Sequence, residues 1–154
     1  LKITGVPSIV VAKVPYHPSY PERGVREIKV PVSDGTADLY ISKRDADQMR
    51  VGEVYRLMGL MNFKVESVES DAIIAAFHGL SLKDLPPRAQ IIHWLPKDKW
   101  LPARVIMPDA SEVSGMCEEA CSNLKVDDRI QFVRFGFVRV DSVGKEITFY
   151  YTHP

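Results

Sequence analysis

The sequence has little cysteine, no long apolar run and no excess of charge of either sign. Its two cysteines, Cys117 and Cys121, are too few for a disulfide framework and suggest a reducing, cytoplasmic compartment. Its longest apolar stretches fall far short of the roughly 20 residues that a membrane-spanning helix needs, so we expect no membrane partner. Twenty basic residues balance twenty acidic residues. A nucleic acid could therefore be bound only through local, positioned contacts and not through a bulk positive field.

The familiar catalytic signatures are also missing. The chain has no Gly-rich phosphate loop, no Gly-x-Ser-x-Gly elbow and no His-Glu-x-x-His helix. A four-residue cysteine spacing without a paired histidine motif is weak evidence for zinc, so we expect half-buried thiols and no metal. One alternative stays open, a small enzyme with a mixed histidine and cysteine site. Its candidate residues are His17, His93 and the two thiols, whereas the candidates for metal ligands beside the thiols are all four histidines, His17, His78, His93 and His153.

What the sequence does contain is a large share of β-branched apolar residues. Valine and isoleucine number 18 and 11, against 10 leucines and 10 alanines, and this bias favours strands. Eleven prolines fall mostly between the apolar runs, where they end strands or shape loops. Hydrophobic residues make up 45% of the chain and charged residues 26%, a balance that excludes disorder. We therefore predict an all-β protein.

Short strands at regular spacing, joined by turn residues, are typical of β-barrels or sandwiches. Ser42, followed by Asp45 three residues later, predicts the N-cap of a short helix that ends near Met49. A second short helix is expected around 118–123. The predicted strands are 9–14, 25–30, 37–41, 54–60, 62–68, 72–78, 89–95, 103–107, 129–141 and 146–151.

The most informative segment is Gln131 to Asp141, within the predicted strand 129–141. Both of its faces are largely apolar, which a central barrel strand would explain. The apolar pattern leaves two residues unexplained, Gln131 and Arg134, which carry good donors for base edges and lie three positions apart. Because positions three apart in a regular strand point to opposite faces, a joint role in binding requires a bulge or an end to regular pairing between them.

Five ordered blocks of the sequence resemble a known family. The segment from Gln131 to Asp141 resembles the Gln-Phe-x-Arg-x-Gly-aromatic strand of the anticodon-binding barrels in glutaminyl-tRNA synthetases and archaeal-type glutamyl-tRNA synthetases. The short links between the matching blocks, and the stretch from Arg134 to Asp141, resemble the archaeal glutamyl enzyme more than the longer glutaminyl enzyme. The other blocks that match this family are His17 to Arg26, Asp38 to Ile41, Glu53 to Leu57 with Glu66 to Asp71, and Ile91 to Trp94 with Leu101 to Val105.

The resemblance implies two tandem six-stranded β-barrels similar to ribosomal protein L25, with N-terminal strands exchanged between them. We assign 1–86 to the first barrel region and 87–154 to the second. It also implies that the catalytic, ATP-binding domain precedes Leu1 in a longer protein and acts with this chain in cis. The chain alone is then expected to be non-catalytic and to need no cofactor, while the parent protein is an ATP-dependent glutamate-tRNA ligase.

The family also implies RNA-binding residues by motif match. Gln131 corresponds to a contact with the middle anticodon base and Arg134 to a contact with the third base. Lys64 corresponds to a lysine near the first base, and Arg56 to an upstream arginine; a solvated strand face is the alternative for both. Where the glutaminyl family pattern has a second basic residue after this lysine, an arginine, the sequence has Ser67. The absence of that arginine suits an enzyme that accepts either C or U as the first anticodon base. The expected partner is tRNA(Glu), with tRNA(Gln) also possible, and DNA is not expected.

The remaining aromatic and histidine residues are assigned to structure. The Pro-rich loop with His17, Tyr20 and Arg23 could be a catalytic loop or a base-stacking platform, but is expected to be a structured loop. Trp94 and Trp100 could stack a base, but packing is the expected role. Two other functions stay open, namely the anticodon module of a glutaminyl-tRNA synthetase and a free-standing RNA-binding barrel similar to ribosomal protein L25.

Overall fold

The computed structural model describes residues 1–17 and 19–154, and these divide into two compact units, Leu1–Lys97 and Asp98–Pro154. About half of the described residues lie in strands. Helix is limited, within these ranges, to one four-residue α-helix and three short 3-10 segments. The prediction of an all-β protein is confirmed. Pro18, which belongs to the predicted Pro-rich loop, lies outside the described residues.

The first unit is built around one large sheet. The elements are β1 Lys2–Thr4, β2 Val10–Pro15, β3 Val25–Val30, β4 Val32–Ser33, β5 Thr36–Ile41, α1 Lys43–Ala46, β6 Val54–Leu57, β7 Asn62–Val68, β8 Ile73–Gly79, β9 Ile91–Ile92 and β10 Trp94–Pro96, with 3-10 turns at Pro21–Arg23 and Leu82–Asp84. The strands of the large sheet follow the order β10-β5-β1-β8-β7-β6-β9, with β4 paired to β5, and β2 and β3 form a separate antiparallel pair.

Alternation explains how these strands bury one face. In β7, Phe63 and Val65 are 0% and 1% exposed, whereas Lys64 and Glu66 point to solvent. The predicted helix cap is confirmed, because the Ser42 hydroxyl accepts a hydrogen bond from the Asp45 backbone N–H at 3.1 Å. The helix is shorter than expected and ends at Ala46.

The second unit is a five-stranded sheet with the order β12-β11-β15-β14-β13. Its small core contains Val138, Val140, Ile147 and Phe149, all 0% exposed. The elements are β11 Trp100–Ile106, β12 Glu112–Glu118, β13 Arg129–Phe132, β14 Gly136–Ser142 and β15 Ile147–His153, with a 3-10 segment at Glu119–Asn123.

The structure corrects the predicted strand 129–141. Residues 129–141 form a tight hairpin, in which β13 and β14 pair from Arg129 opposite Arg139 to Phe132 opposite Gly136. Three residues, 133–135, form the loop. The apolar alternation continues through this loop, so the sequence pattern does not mark the reversal of the chain.

The ranges 1–86 and 87–154 for the family's two barrels stay a prediction. Within the first unit, β9 and β10 pair with strands from earlier in the chain, since Ile92 lies opposite Leu57 and Trp94 lies opposite Ile41. Residues 91–96 therefore complete the sheet of the first unit.

Candidate nucleic-acid interface

The β13–β14 hairpin presents both Gln131 and Arg134 to solvent near its tip. Gln131 lies on β13 opposite Phe137, and its side chain is exposed. Arg134 lies in the loop and is also exposed. Regular pairing ends at Phe132, between the two residues. The geometric condition for a joint role, an interruption of the strand, is therefore met.

The backbone of this loop is strained at one residue and requires glycine at another. Arg134 has φ of 64°, a left-handed conformation that is uncommon for a residue with a Cβ. Phe135 N–H closes the turn by donating to the Phe132 carbonyl at 2.9 Å. Gly136 has φ of 143°, and a Cβ there would lie 2.6 Å from Tyr151 Cε2 and 2.9 Å from the His153 carbonyl oxygen. Strain of this kind is often found at functional sites.

Aromatic contacts tie the hairpin to β15, the strand that pairs with β14 in the same sheet. The Phe132 ring contacts Phe149 edge-on, with centroids 4.9 Å apart, and Phe149 is fully buried. Phe135 makes a similar contact with Tyr151 at 5.8 Å. These contacts hold the loop on a rigid base, so Gln131 and Arg134 are presented at defined positions.

In the first unit, Lys64 is the exposed basic residue of β7. It lies opposite Val54 on one side and Ala76 on the other, two partly buried apolar residues. An ammonium group on such a face is available to an RNA phosphate or base. Ser67, at a register shift of the same strand, contacts Glu69 at 3.5 Å.

Arg56, by contrast, is buried, with 9% of its surface exposed. Its guanidinium donates to the Asn62 side-chain carbonyl at 2.7 Å and to the Leu80 backbone carbonyl at 3.0 Å. Asn62 in turn donates to the Ser81 carbonyl at 2.7 Å. Asn62 was not among the residues predicted from the sequence, because a single amide at the start of a strand of alternating polar and apolar residues gives no distinct signal.

The Pro-rich loop forms internal contacts on its described residues. The His17 and Tyr20 rings lie 4.6 Å apart, and the Arg23 guanidinium lies 4.9 Å above the Tyr20 ring. Trp94 is 4% exposed and its indole N–H donates to the Met58 carbonyl at 2.9 Å, so its packing role is confirmed. Trp100 is more open, with 38% of its surface exposed.

The thiols of the second unit are a buried pair. Cys117 and Cys121 are 5% and 9% exposed. A hydrogen bond from the Cys121 thiol lowers the pKa of Cys117, against the opposing effect of burial. Over residues 1–17 and 19–154, no three His, Cys, Asp or Glu side chains gather as a metal site would require.

Comparison with known families identifies this arrangement. The family model described as tRNA synthetases class I (E and Q), anti-codon binding domain, matches residues 1–80, and a second model with the same description matches residues 91–141. The chain belongs to this family. The second match begins at β9, so its first two strands pair within the first compact unit. The resemblance drawn from the sequence blocks is thus confirmed.

Several curated relatives of this anticodon-binding chain carry the name glutamate-tRNA ligase. The protein of Caldivirga maquilingensis is 39% identical over 91% of the chain, that of Methanocella arvoryzae 36% over 100%, and that of Pyrococcus abyssi 34% over 99%. The chain spans only 24%, 26% and 26% of their respective lengths. Among the described residues, no helix is both long and apolar enough to cross a membrane.

Proposed function

We propose that this anticodon-binding chain reads the anticodon loop of tRNA(Glu), and that tRNA(Gln) is a second substrate of the same surface. The observation that carries the proposal is the hairpin tip, where Gln131 and Arg134 are both exposed on either side of the point where pairing ends. Loop bases of RNA can be unstacked and read along their Watson–Crick edges by such groups.

The amide of Gln131 suits a uracil as the middle base. It can accept a hydrogen bond from uracil N3–H and donate one to a uracil carbonyl, a combination that cytosine cannot satisfy in the same orientation. Among the described residues, nothing hydrogen-bonds to this amide side chain, so both of its functions are open to a base.

The guanidinium of Arg134 supplies the contact to the third base. It donates to guanine O6 and N7 or to cytosine O2 and N3 with similar ease, because it has only donors. Glutamate and glutamine anticodons differ at this base, so one arginine would accept both tRNAs. The strained backbone at Arg134 favours a role outside the fold.

The first unit contributes Lys64, an exposed ammonium that we assign to the RNA near the first anticodon base. Ser67, in place of a further arginine, leaves that base without strict selection, so either C or U is accepted. For Arg56 the buried hydrogen bonds favour an indirect role, in which it holds the backbone at Leu80 and Ser81 in place.

The whole protein would be a glutamate-tRNA ligase of the cytoplasm. Relatives of that name are about four times longer than the matched region, so glutamate activation with ATP would belong to another part of such a protein and work in cis with this chain. A glutaminyl-tRNA synthetase is the alternative, because the family model covers both enzymes.

The test measures binding of the chain to transcripts of tRNA(Glu), tRNA(Gln) and an unrelated tRNA at fixed salt. Gln131→Ala and Arg134→Ala are each expected to weaken binding of tRNA(Glu) and tRNA(Gln) by about 1–3 kcal/mol, the scale of one good base contact. Lys145→Ala is the matched control, because Lys145 is an exposed lysine in the turn between β14 and β15, at the other end of β14 from the hairpin tip. Its effect on binding should be smaller and the same for all three RNAs.

Equal weakening on all three RNAs would mean that the two side chains bind the RNA backbone or support the fold, and would contradict the proposal. Stronger binding of tRNA(Gln) than of tRNA(Glu) would favour the glutaminyl alternative.

A further inference from the structure

Three side chains form a row across the outer face of the second unit's sheet. Gln131 on β13 lies opposite Phe137 on β14, and Phe137 lies opposite His153 on β15. Directly opposed residues of neighbouring strands point to the same face. A register shift follows between Phe137 and Val138, but the stacked rings of Phe137 and His153 show that these two side chains share a face. Gln131 and His153 are exposed and Phe137 is half-buried. Since neighbouring strands are about 4.8 Å apart, an amide and two aromatic rings line about 10 Å of surface.

The two rings are held parallel. The centroids of Phe137 and His153 lie 4.5 Å apart, with 10° between the ring planes. The Thr152 hydroxyl donates to the Phe137 carbonyl at 3.0 Å and contacts His153 Nδ1 at 3.0 Å. Thr152 therefore bridges the backbone of Phe137 and the ring of His153, which helps to hold the two rings parallel.

The other aromatic rings near the hairpin have their faces or edges engaged. Tyr150 is covered by the Arg139 guanidinium at 5.6 Å, and Arg139 also pairs with Asp127. Phe132 and Phe135 make edge contacts with each other and with the β15 rings of Phe149 and Tyr151. The Phe137–His153 pair is instead stacked only in parallel, with the imidazole exposed.

We infer that the Phe137–His153 pair is the stacking platform for the base whose edge Gln131 reads. This inference rests on the proposed function and extends it, because an amide recognises only the edge of a base. The face needs a ring beside that amide, and stacking on an aromatic ring is a main source of affinity for unpaired bases. The occupant is a pyrimidine of a single-stranded RNA loop, since it is the uracil edge that fits the amide.

The experiment is a thermodynamic cycle with two RNA hairpins that carry the glutamate anticodon loop. One has uracil at the middle anticodon position and the other an abasic site. Phe137→Leu keeps apolar volume but removes the ring, and His153→Ala removes the exposed ring. Each variant is expected to lower the affinity for the uracil hairpin by about five- to one-hundred-fold and to leave the affinity for the abasic hairpin unchanged.

Tyr150→Ala is the matched control, because Tyr150 is an aromatic residue of β15, the strand that also contains His153, but lies outside the row. We expect it to change the affinity for neither the uracil hairpin nor the abasic hairpin. Equal losses on both hairpins, or no loss on the uracil hairpin, would overturn the platform. His153→Ala decides the result if Phe137→Leu fails to fold, because its side chain is exposed.

Gln131→Ala separates the two claims. If it weakens only the uracil hairpin while the ring variants bind normally, the platform is overturned and the anticodon function stands. If the unaltered chain binds both hairpins equally, both claims are overturned.

Discussion

Arg56 and Arg134 carry the same functional group in opposite environments. Arg56, in the first unit, is buried and donates to Asn62 and to the Leu80 carbonyl. Arg134, in the second unit, is exposed at the tip of a hairpin on a strained backbone. The family resemblance gives both the same expected role. Burial separates an arginine that maintains the fold from one that is presented to a partner.

The largest expected effect is on stability, at Arg56. Arg56→Ala leaves the buried Asn62 side-chain carbonyl without its donor, which costs about 1–3 kcal/mol, and removes a second charged hydrogen bond, to the part-buried Leu80 carbonyl, worth about 1.5–3 kcal/mol. We expect the free energy of unfolding to fall by roughly 2–5 kcal/mol, as measured by urea denaturation. Arg44→Ala, at an exposed arginine of α1, is the control and should change it by less than about 0.5 kcal/mol. A small loss of stability with a large loss of RNA affinity would place Arg56 among the contact residues and remove the contrast with Arg134.

Gly136 tests whether the hairpin tip is as constrained as the packing indicates. In Gly136→Ala, the new Cβ would meet Tyr151 and the His153 backbone at less than 3.0 Å, on a backbone that disfavours side chains. Overpacking and backbone strain together are expected to cost roughly 2–4 kcal/mol in thermal unfolding. Gly115→Ala in β12 is the matched control, because its Cβ would meet nothing within 4 Å and its φ is not positive. Similar losses in the two variants would show that the tip is no tighter than an open strand.

Replacing Arg134 by glycine is expected to change stability by a smaller amount, and to change stability and RNA affinity in opposite directions. Arg134→Gly relieves the left-handed strain, worth about 1–2 kcal/mol, but adds the chain entropy of glycine. The free energy of unfolding is expected to rise by about 0.5–1 kcal/mol while RNA affinity falls. Arg134→Ala keeps the strain and should lose only affinity. If Arg134→Gly destabilises the chain, the arginine supports the fold as Arg56 does.

The same contrast explains how much the sequence could predict. Strands 25–30 and 62–68 have the predicted bounds, because each contains apolar residues two positions apart, Ile28 and Val30 in the first and Phe63 and Val65 in the second. β12 was missed, since most of its residues are exposed and its pairing with β11 leaves no apolar pattern. The reversal after Phe132 was missed because apolar residues continue through the loop.

The candidate site was predicted only in part, for a related reason. Gln131 and Arg134 depend on a local motif, and the strand interruption that they require is present. The burial of Arg56 depends on Asn62, Leu80 and Ser81, which are 6, 24 and 25 residues away in sequence. His153 joins the row beside Gln131 only through the pairing of β14 with β15. Long-range pairing of this kind leaves no local signal in one sequence.

The smallest expected effect concerns the buried thiols, the second unit's counterpart to the Arg56 network. Because the Cys121 thiol lowers the pKa of Cys117, the folded chain releases that proton at a lower pH than the unfolded chain. The free energy of unfolding should therefore rise slightly with pH between these two pKa values, and fall as the pH drops through the lower one. Cys121→Ala removes the donor, so the pKa of Cys117 should rise, as followed by the ultraviolet absorbance of its thiolate. The rise of the unfolding free energy with pH should then disappear. Ser122→Ala, at an exposed neighbour in the same 3-10 segment, should leave the titration unchanged. If the titration of Cys117 is unchanged in Cys121→Ala, the hydrogen bond between the two thiols does not stabilise the thiolate. The second unit would then have no counterpart to the Arg56–Asn62 hydrogen bond of the first unit at this position.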